Sequence, residues 1–201
     1  MTTSEPATEK GRSTRARIVQ AAAELVAERG AAAMSLDEVG ARAHASRSQL
    51  YHYFNDRDDL IRAVIDATAN TILGAQDEFL ADLDSWAGID RWFALFNETV
   101  REREARGGCP LGSLVGQLAE RDPLARAGLA DGFDRWEGHL RVGLERMQAN
   151  GAIVPQADPS QLATATIALV QGGLLLAQVR RDPGQLEIAL DAARALLRTV
   201  R

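Results

Sequence analysis

Apolar residues recur at helical spacing over most of the chain, and no alternating strand-like pattern occurs. Ile18, Ala22, Leu25 and Val26 share one face of a first helix that the spacing starts near Ser13 or Thr14 and stops at Gly30. Two short helices follow in residues 35–54, SLDEVGARAHASRSQLYHYF. Ser35 is placed to cap the first, with Glu38 in the capping-box position and Met34 and Val39 as a hydrophobic staple. Ser46 repeats the device with Gln49, and Leu50 opens the second helix's apolar face. Two caps this close leave room for about two turns of helix and a tight turn, which is helix-turn-helix spacing.

The pattern continues with a fourth helix, capped by Asn55, that carries Leu60, Ile61, Val64 and Ile65 and runs toward Leu83. A fifth, over about 89–106, is marked by Trp92, Phe93 and Phe96 and ends at Gly107-Gly108. Another spans 110–121. Asp122-Pro123, Asp158-Pro159 and Asp182-Pro183 are helix-start signals and imply helices at 123–149, 159–180 and 183–199. The expectation is an all-α protein of about nine helices. Residues 1–11 form a disordered arm, 12–54 a helix-turn-helix domain, and 55–201 a larger helical domain.

Composition sharpens this picture in three respects. At 46% hydrophobic and 25% charged, 201 residues suffice for a full core. No apolar run is expected to cross a bilayer, and the N-terminus lacks a signal-peptide core, which points to the cytoplasm. The net charge of −5 is unevenly spread, with residues 1–57 at +1 and the remainder at −6. Lys10, Arg12, Arg15, Arg17, Arg42, Arg47 and Arg57 gather around the helix-turn-helix, as nucleic-acid binding requires. The second short helix opens with Arg47, Ser48 and Gln49. Arg can bond guanine O6 and N7 together and Gln can do the same for adenine N6 and N7, each worth about 1–3 kcal/mol of discrimination. Gln49 is equally suited to serve only the capping box.

Catalysis finds no support. There is no G-x-S-x-G, P-loop, H-E-x-x-H or dinucleotide fingerprint, and three His and one Cys are too scattered for a metal site. No cofactor is expected. Cys109, between Gly108 and Pro110, stands at a helix start, where the dipole would lower a thiol pKa. It could sense oxidants or electrophiles, or merely fill a gap. The helix at 159–180 carries Leu162, Thr166, Leu169, Val170, Gly173 and Leu174 at helical spacing, and the last helix carries Leu190 and Leu197. These faces are expected to form a homodimer contact as a four-helix bundle, against the plainer reading that they pack on the chain's own core.

With ARIVQAAAELVAERG and SLDEVGARAHASRSQLYHYFNDRDDLIRAV together, the chain resembles the TetR family of bacterial transcriptional regulators. Residues 108–123, GCPLGSLVGQLAERDP, look like a variant of that family's ligand-domain sequence. The resemblance implies a homodimeric repressor that binds double-stranded operator DNA and leaves it when a small molecule binds the C-terminal domain. It places Arg47, Ser48 and Gln49 at base-reading positions, and Tyr51 and Tyr53 at phosphates with His52 between them. Arg57 follows at a commonly basic position, and Thr14 and Arg17 reach a flanking phosphate. With the caps Ser35 and Ser46 these form the expected DNA-binding set. His44 replaces a frequent Gly in the turn, where φ is positive. The resemblance also implies an effector pocket among Trp92, Phe96, Cys109, Leu114, Leu118, Phe133 and Trp136, with His139 and Gln171 as polar anchors, against the plainer reading that most of these residues are ordinary core and His139 a buried, hydrogen-bonded histidine. An alternative of another class is a helical small-molecule carrier or enzyme without operator specificity.

Overall fold

A computed structural model describes Pro6 and residues 8–201. The described residues form ten α-helices and no strand: α1 (Glu9–Arg29), α2 (Leu36–Arg42), α3 (Arg47–Tyr53), α4 (Arg57–Gly74), α5 (Asp77–Leu80), α6 (Trp86–Glu102), α7 (Pro110–Leu118), α8 (Pro123–Ala149), α9 (Pro159–Arg180) and α10 (Gly184–Arg198). Most of the expected arm, residues 1–5 and 7, lies outside the described residues. Its last part is helical, because Thr8 accepts the Gly11 N–H and caps α1 earlier than the apolar face begins. Packing divides the chain into two units. One comprises Met1–Thr71 and Ser113–Gly132, the other Ile72–Gly112 and Phe133–Arg201.

In the first unit Ile18, Ala22, Leu25, Val39, Ala43, Leu50 and Phe54 are buried around the α1–α3 junction. The turn between α2 and α3 carries His44 at φ +48°, the left-handed geometry expected there. Asp56, not Asn55, caps α4: its Oδ1 accepts the Asp59 N–H at 2.7 Å, while Asn55 donates to the Asp59 carboxylate. Helix α4 stops at Gly74 rather than running to Leu83. Gln76 then occupies the break, donating to the Ile72 carbonyl and accepting the buried Trp92 N–H at 2.8 Å. That interruption and the short α5 raise the count from nine to ten.

The second unit has a continuous core in which Trp92, Phe93, Phe96, Trp136, Leu140, Val170, Leu174, Leu186 and Leu190 are buried. Ser85 caps α6 by accepting the Gly88 N–H, which starts this helix before the expected 89. Asp122 and Asp158 cap α8 and α9 as the Asp-Pro pairs predict, while the third pair starts α10 one residue late, at Gly184. Helices α9 and α10 pack along each other. A Cβ at Gly173 would stand 2.7 Å from the Ala189 methyl, so this contact needs glycine. Helix α9 is long and apolar enough, by length and composition, to cross a membrane, which corrects the expectation that no run is. Its inner face is buried in this unit's core.

Candidate functional site

Helix α3 is held by a complete capping box. The Ser46 hydroxyl accepts the Gln49 N–H at 3.2 Å, and the Gln49 side-chain oxygen accepts the Ser46 N–H at 2.9 Å. The box at α2 is half made. Ser35 accepts the Glu38 N–H, but the Glu38 carboxylate takes the Ser35 hydroxyl and the Arg29 guanidinium instead of reaching the cap N–H. Those two donors hold the Glu38 carboxyl below its ordinary range, the serine contributing most.

Only Leu50 of α3 is buried. Arg47, Ser48, Gln49, Tyr51 and His52 are exposed, and Tyr53 is half-buried with its ring edge-on to His52 at 4.8 Å. The Arg47 guanidinium lies over the Tyr51 ring, 5.8 Å from its centre. The Tyr51 phenol oxygen, with Asp37 nearby, holds it firmly in the charged form. Ser48 and Ser46 share a hydroxyl contact at 2.9 Å. An exposed helix face this rich in fork-shaped, hydroxyl and amide groups can address base edges and phosphates at once.

Several expected members of this face are engaged elsewhere. Arg57 is a clamp: its Nε donates to the Met34 carbonyl at 3.1 Å and its Nη2 to the Ala31 carbonyl, so its geometry serves the loop before α2 and not a phosphate. Thr14 is buried, and its hydroxyl donates to the Lys10 carbonyl one turn back. Arg17 Nε donates to the carbonyl of Ala43, the residue that ends α2, at 2.7 Å. Arg42 is forked onto Glu28 at 2.7 and 2.9 Å, and Arg15 covers the Phe54 ring. Much of the basic cluster therefore braces the helix-turn-helix.

One brace left no trace in the sequence. Gln117, on α7, accepts the Ala31 N–H at 2.7 Å, beside Gly30 at φ +84°. The loop before α2 is thus held through Ala31 on both its N–H and its carbonyl. The partners lie 86 and 26 residues away.

In the second unit Trp92, Phe96 and Trp136 are buried and Phe133 is half-buried. Phe96 and Phe133 lie 6.0 and 6.4 Å from Trp136, and Trp92 meets Phe96 edge-on at 5.1 Å. Leu114 and Leu118 belong to the first unit. His139 is not an interior anchor. It is exposed and lines an open groove of about 580 Å³ with Asp77, Leu80, Arg135, Val142 and Arg146. The Cys109 thiol accepts the Gly112 N–H at 3.4 Å, with the Gln171 amide beside it, but burial outweighs these contacts and raises its pKa. The expected thiolate is therefore disfavoured.

The residues expected at a dimer contact are spent inside the chain. Leu162, Thr166, Val170, Gly173, Leu174, Leu190 and Leu197 are buried and Leu169 is half-buried, all against the unit's own core. The large apolar side chains that α9 and α10 leave exposed are Leu175, Leu176, Val179 and Ile188.

A helix-turn-helix with an exposed polar second helix, together with a further helical unit that has an aromatic interior, is the architecture of a DNA-binding regulator. The family model for the C-terminal domain of tetracycline-repressor-like proteins matches residues 86–193, and that for the N-terminal part of the bacterial tetR regulatory proteins matches 18–64. The chain belongs to the TetR family of transcriptional regulators. It is 29% identical over 189 residues to an uncharacterised HTH-type transcriptional regulator of Mycobacterium tuberculosis, covering 91% of this chain and 93% of that one. The transcriptional regulator AcuR of Cereibacter sphaeroides is 28% identical over 172 residues, covering 83% and 78%. In fold, a TetR-family regulator from Cytophaga hutchinsonii superposes with a TM-score of 0.81 at 16% identity, covering 98% of each chain. Regulators of this family bind operator DNA and act as dimers.

Proposed function

We propose that the protein is a cytoplasmic repressor that grips a palindromic operator as a homodimer and releases it when a small hydrophobic effector enters the second unit. The observation that carries the DNA reading is the exposed face of α3. Arg47, Ser48, Gln49, Tyr51 and His52 project from a helix whose own capping and packing need only Ser46, Leu50 and one end of Gln49. The Gln49 side-chain NH₂ stays available for a base while its oxygen serves the box. Tyr51 and Tyr53 are assigned to phosphates, and Arg47 to a base edge or phosphate.

The dimer contact is assigned to the exposed Leu175, Leu176, Val179 and Ile188 rather than to the buried face of the same helices. Four large apolar side chains on neighbouring helices are best removed from water by the same patch of a second copy about a two-fold axis. Two recognition helices then address half-sites one turn of DNA apart. Helix α4, which runs along the chain from the first unit into the second, is assigned as the lever. A coupling of about 1–3 kcal/mol between effector and operator suffices for a switch.

The test is a footprint of the full-length protein on DNA upstream of its own gene, across a salt series. A dyad-symmetric protected region whose affinity falls steeply with salt is the expected result. Uniform, sequence-independent protection, or none, would sink the operator reading and favour a carrier.

A further inference from the structure

Resting on the reading of the second unit as effector-binding, we propose that the effector is an electrically neutral, flat conjugated carbonyl compound whose oxygen is taken by the Trp136 indole N–H. Trp136 is 2% exposed, and its Nε1 has no hydrogen-bond partner. A buried donor without an acceptor is a standing cost that folded proteins rarely leave unmet. The other fully buried indole of the same core provides the contrast, because Trp92 donates to Gln76 at 2.8 Å. Of the two buried indoles, only that of Trp136 is bare.

A second buried donor, Gln171 Nε2 on α9, bonds no oxygen or nitrogen acceptor and has only the Cys109 sulfur beside it. Against these two N–H groups stands one unpartnered acceptor, Asn97 Oδ1. The surplus of donors selects a ligand rich in acceptor oxygens. Shape follows from the neighbours of Trp136. Phe133 is stacked at 18° and Phe96 is tilted at 32°, a set of ring faces that matches a planar conjugated molecule.

Charge follows from what the interior lacks. Among the described residues the buried polar side chains are Thr14, Gln76 and Thr166, and no Asp, Glu, Lys, Arg or His is buried. Thr166 is already satisfied by the Leu162 carbonyl. An ion entering such a core would lose its hydration and find no counter-charge, which excludes carboxylates and amines as the preferred ligands. His139, which could have supplied a charge, is exposed in the open groove with Arg135 and Arg146.

The experiment uses three probes of one ring system on the purified full chain: 1-acetylnaphthalene (neutral, acceptor), naphthalene (no acceptor) and 1-naphthoate (anionic). Titration calorimetry at neutral pH should give 1-acetylnaphthalene about tenfold tighter binding than either of the others, the factor expected for one buried hydrogen bond. Trp136→Phe keeps a ring in place and removes the donor. It should bring 1-acetylnaphthalene down to the level of naphthalene, whose own affinity stays unchanged; His139→Ala should change none of the three. Nitrogen-15 NMR of the unmutated protein gives a second reading that needs no variant. One indole N–H signal should move downfield with 1-acetylnaphthalene and stay in place with naphthalene. Tighter binding of 1-naphthoate, a preference that survives Trp136→Phe, static indole signals, or no binding by any probe would each overturn the proposal. DNA plays no part in these readings, so a protein that shows the preference but fails to footprint keeps the site and loses only the repressor reading.

Discussion

The recognition helix α3 and the aromatic helix α6 use their rings in opposite ways. Helix α3 exposes Tyr51 and His52 and buries a single leucine, while α6 buries Trp92, Phe93 and Phe96. The first is held by its capping box and the single buried Leu50, so its other side chains are left for a partner. The second is stable because its side chains are the core. A working residue on α3 can therefore be removed with little effect on folding, whereas one on α6 or α8 belongs to the same packing that holds the unit together.

This contrast can be broken most severely at the outer face of α9 and α10. Val179→Asp with Ile188→Asp should leave the helical fold intact, since both residues are exposed, yet convert the dimer to monomer in analytical ultracentrifugation and abolish high-affinity operator binding. A dimer that survives would move the interface elsewhere. Trp92→Ala comes next. It removes a fully buried ring and strands the Gln76 oxygen, so chemical denaturation should show a loss of about 3–5 kcal/mol. Arg47→Ala should behave in the opposite manner: unchanged stability and dimer, with operator affinity lower by about 1–3 kcal/mol in a gel-shift titration. Unaltered affinity would mean that α3 is not the reading helix. Ser46→Ala sits between the two regimes. Loss of the cap should cost about 0.5–2 kcal/mol of stability and weaken DNA binding only as far as α3 frays, which amide exchange over 47–50 would report.

The smallest effect concerns Cys109. Burial raises its pKa, so at neutral pH the thiol is protonated and should react with iodoacetamide more slowly than a free cysteine. The rate should climb only above the ordinary thiol range. Because the folded pKa is the raised one, the neutral thiol's contribution to stability is whole below the unfolded pKa and is lost as pH rises through the folded value. Fast alkylation at neutral pH would restore the sensor reading.

What could be read from the sequence alone was what is encoded within one turn of helix. Ser35, Ser46, Asp122 and Asp158 each bond an N–H two or three residues on, so their role is visible in a short window. The positive φ at His44 and the stop at Gly30 are local in the same sense. Choices between distant partners were not legible. Arg57 looks like any basic residue near a DNA-reading helix until the fold brings the Ala31 and Met34 carbonyls to it, and Gln117 has no signature at all. Helix α9 shows the limit most clearly. Apolar periodicity identifies the inward face only when the other face is polar, and here both are apolar. Leu162, Val170 and Leu174 could not be told from Leu175, Leu176 and Val179 by spacing. Packing against α10, with Gly173 under Ala189, decided which set forms the core and which remains for a partner.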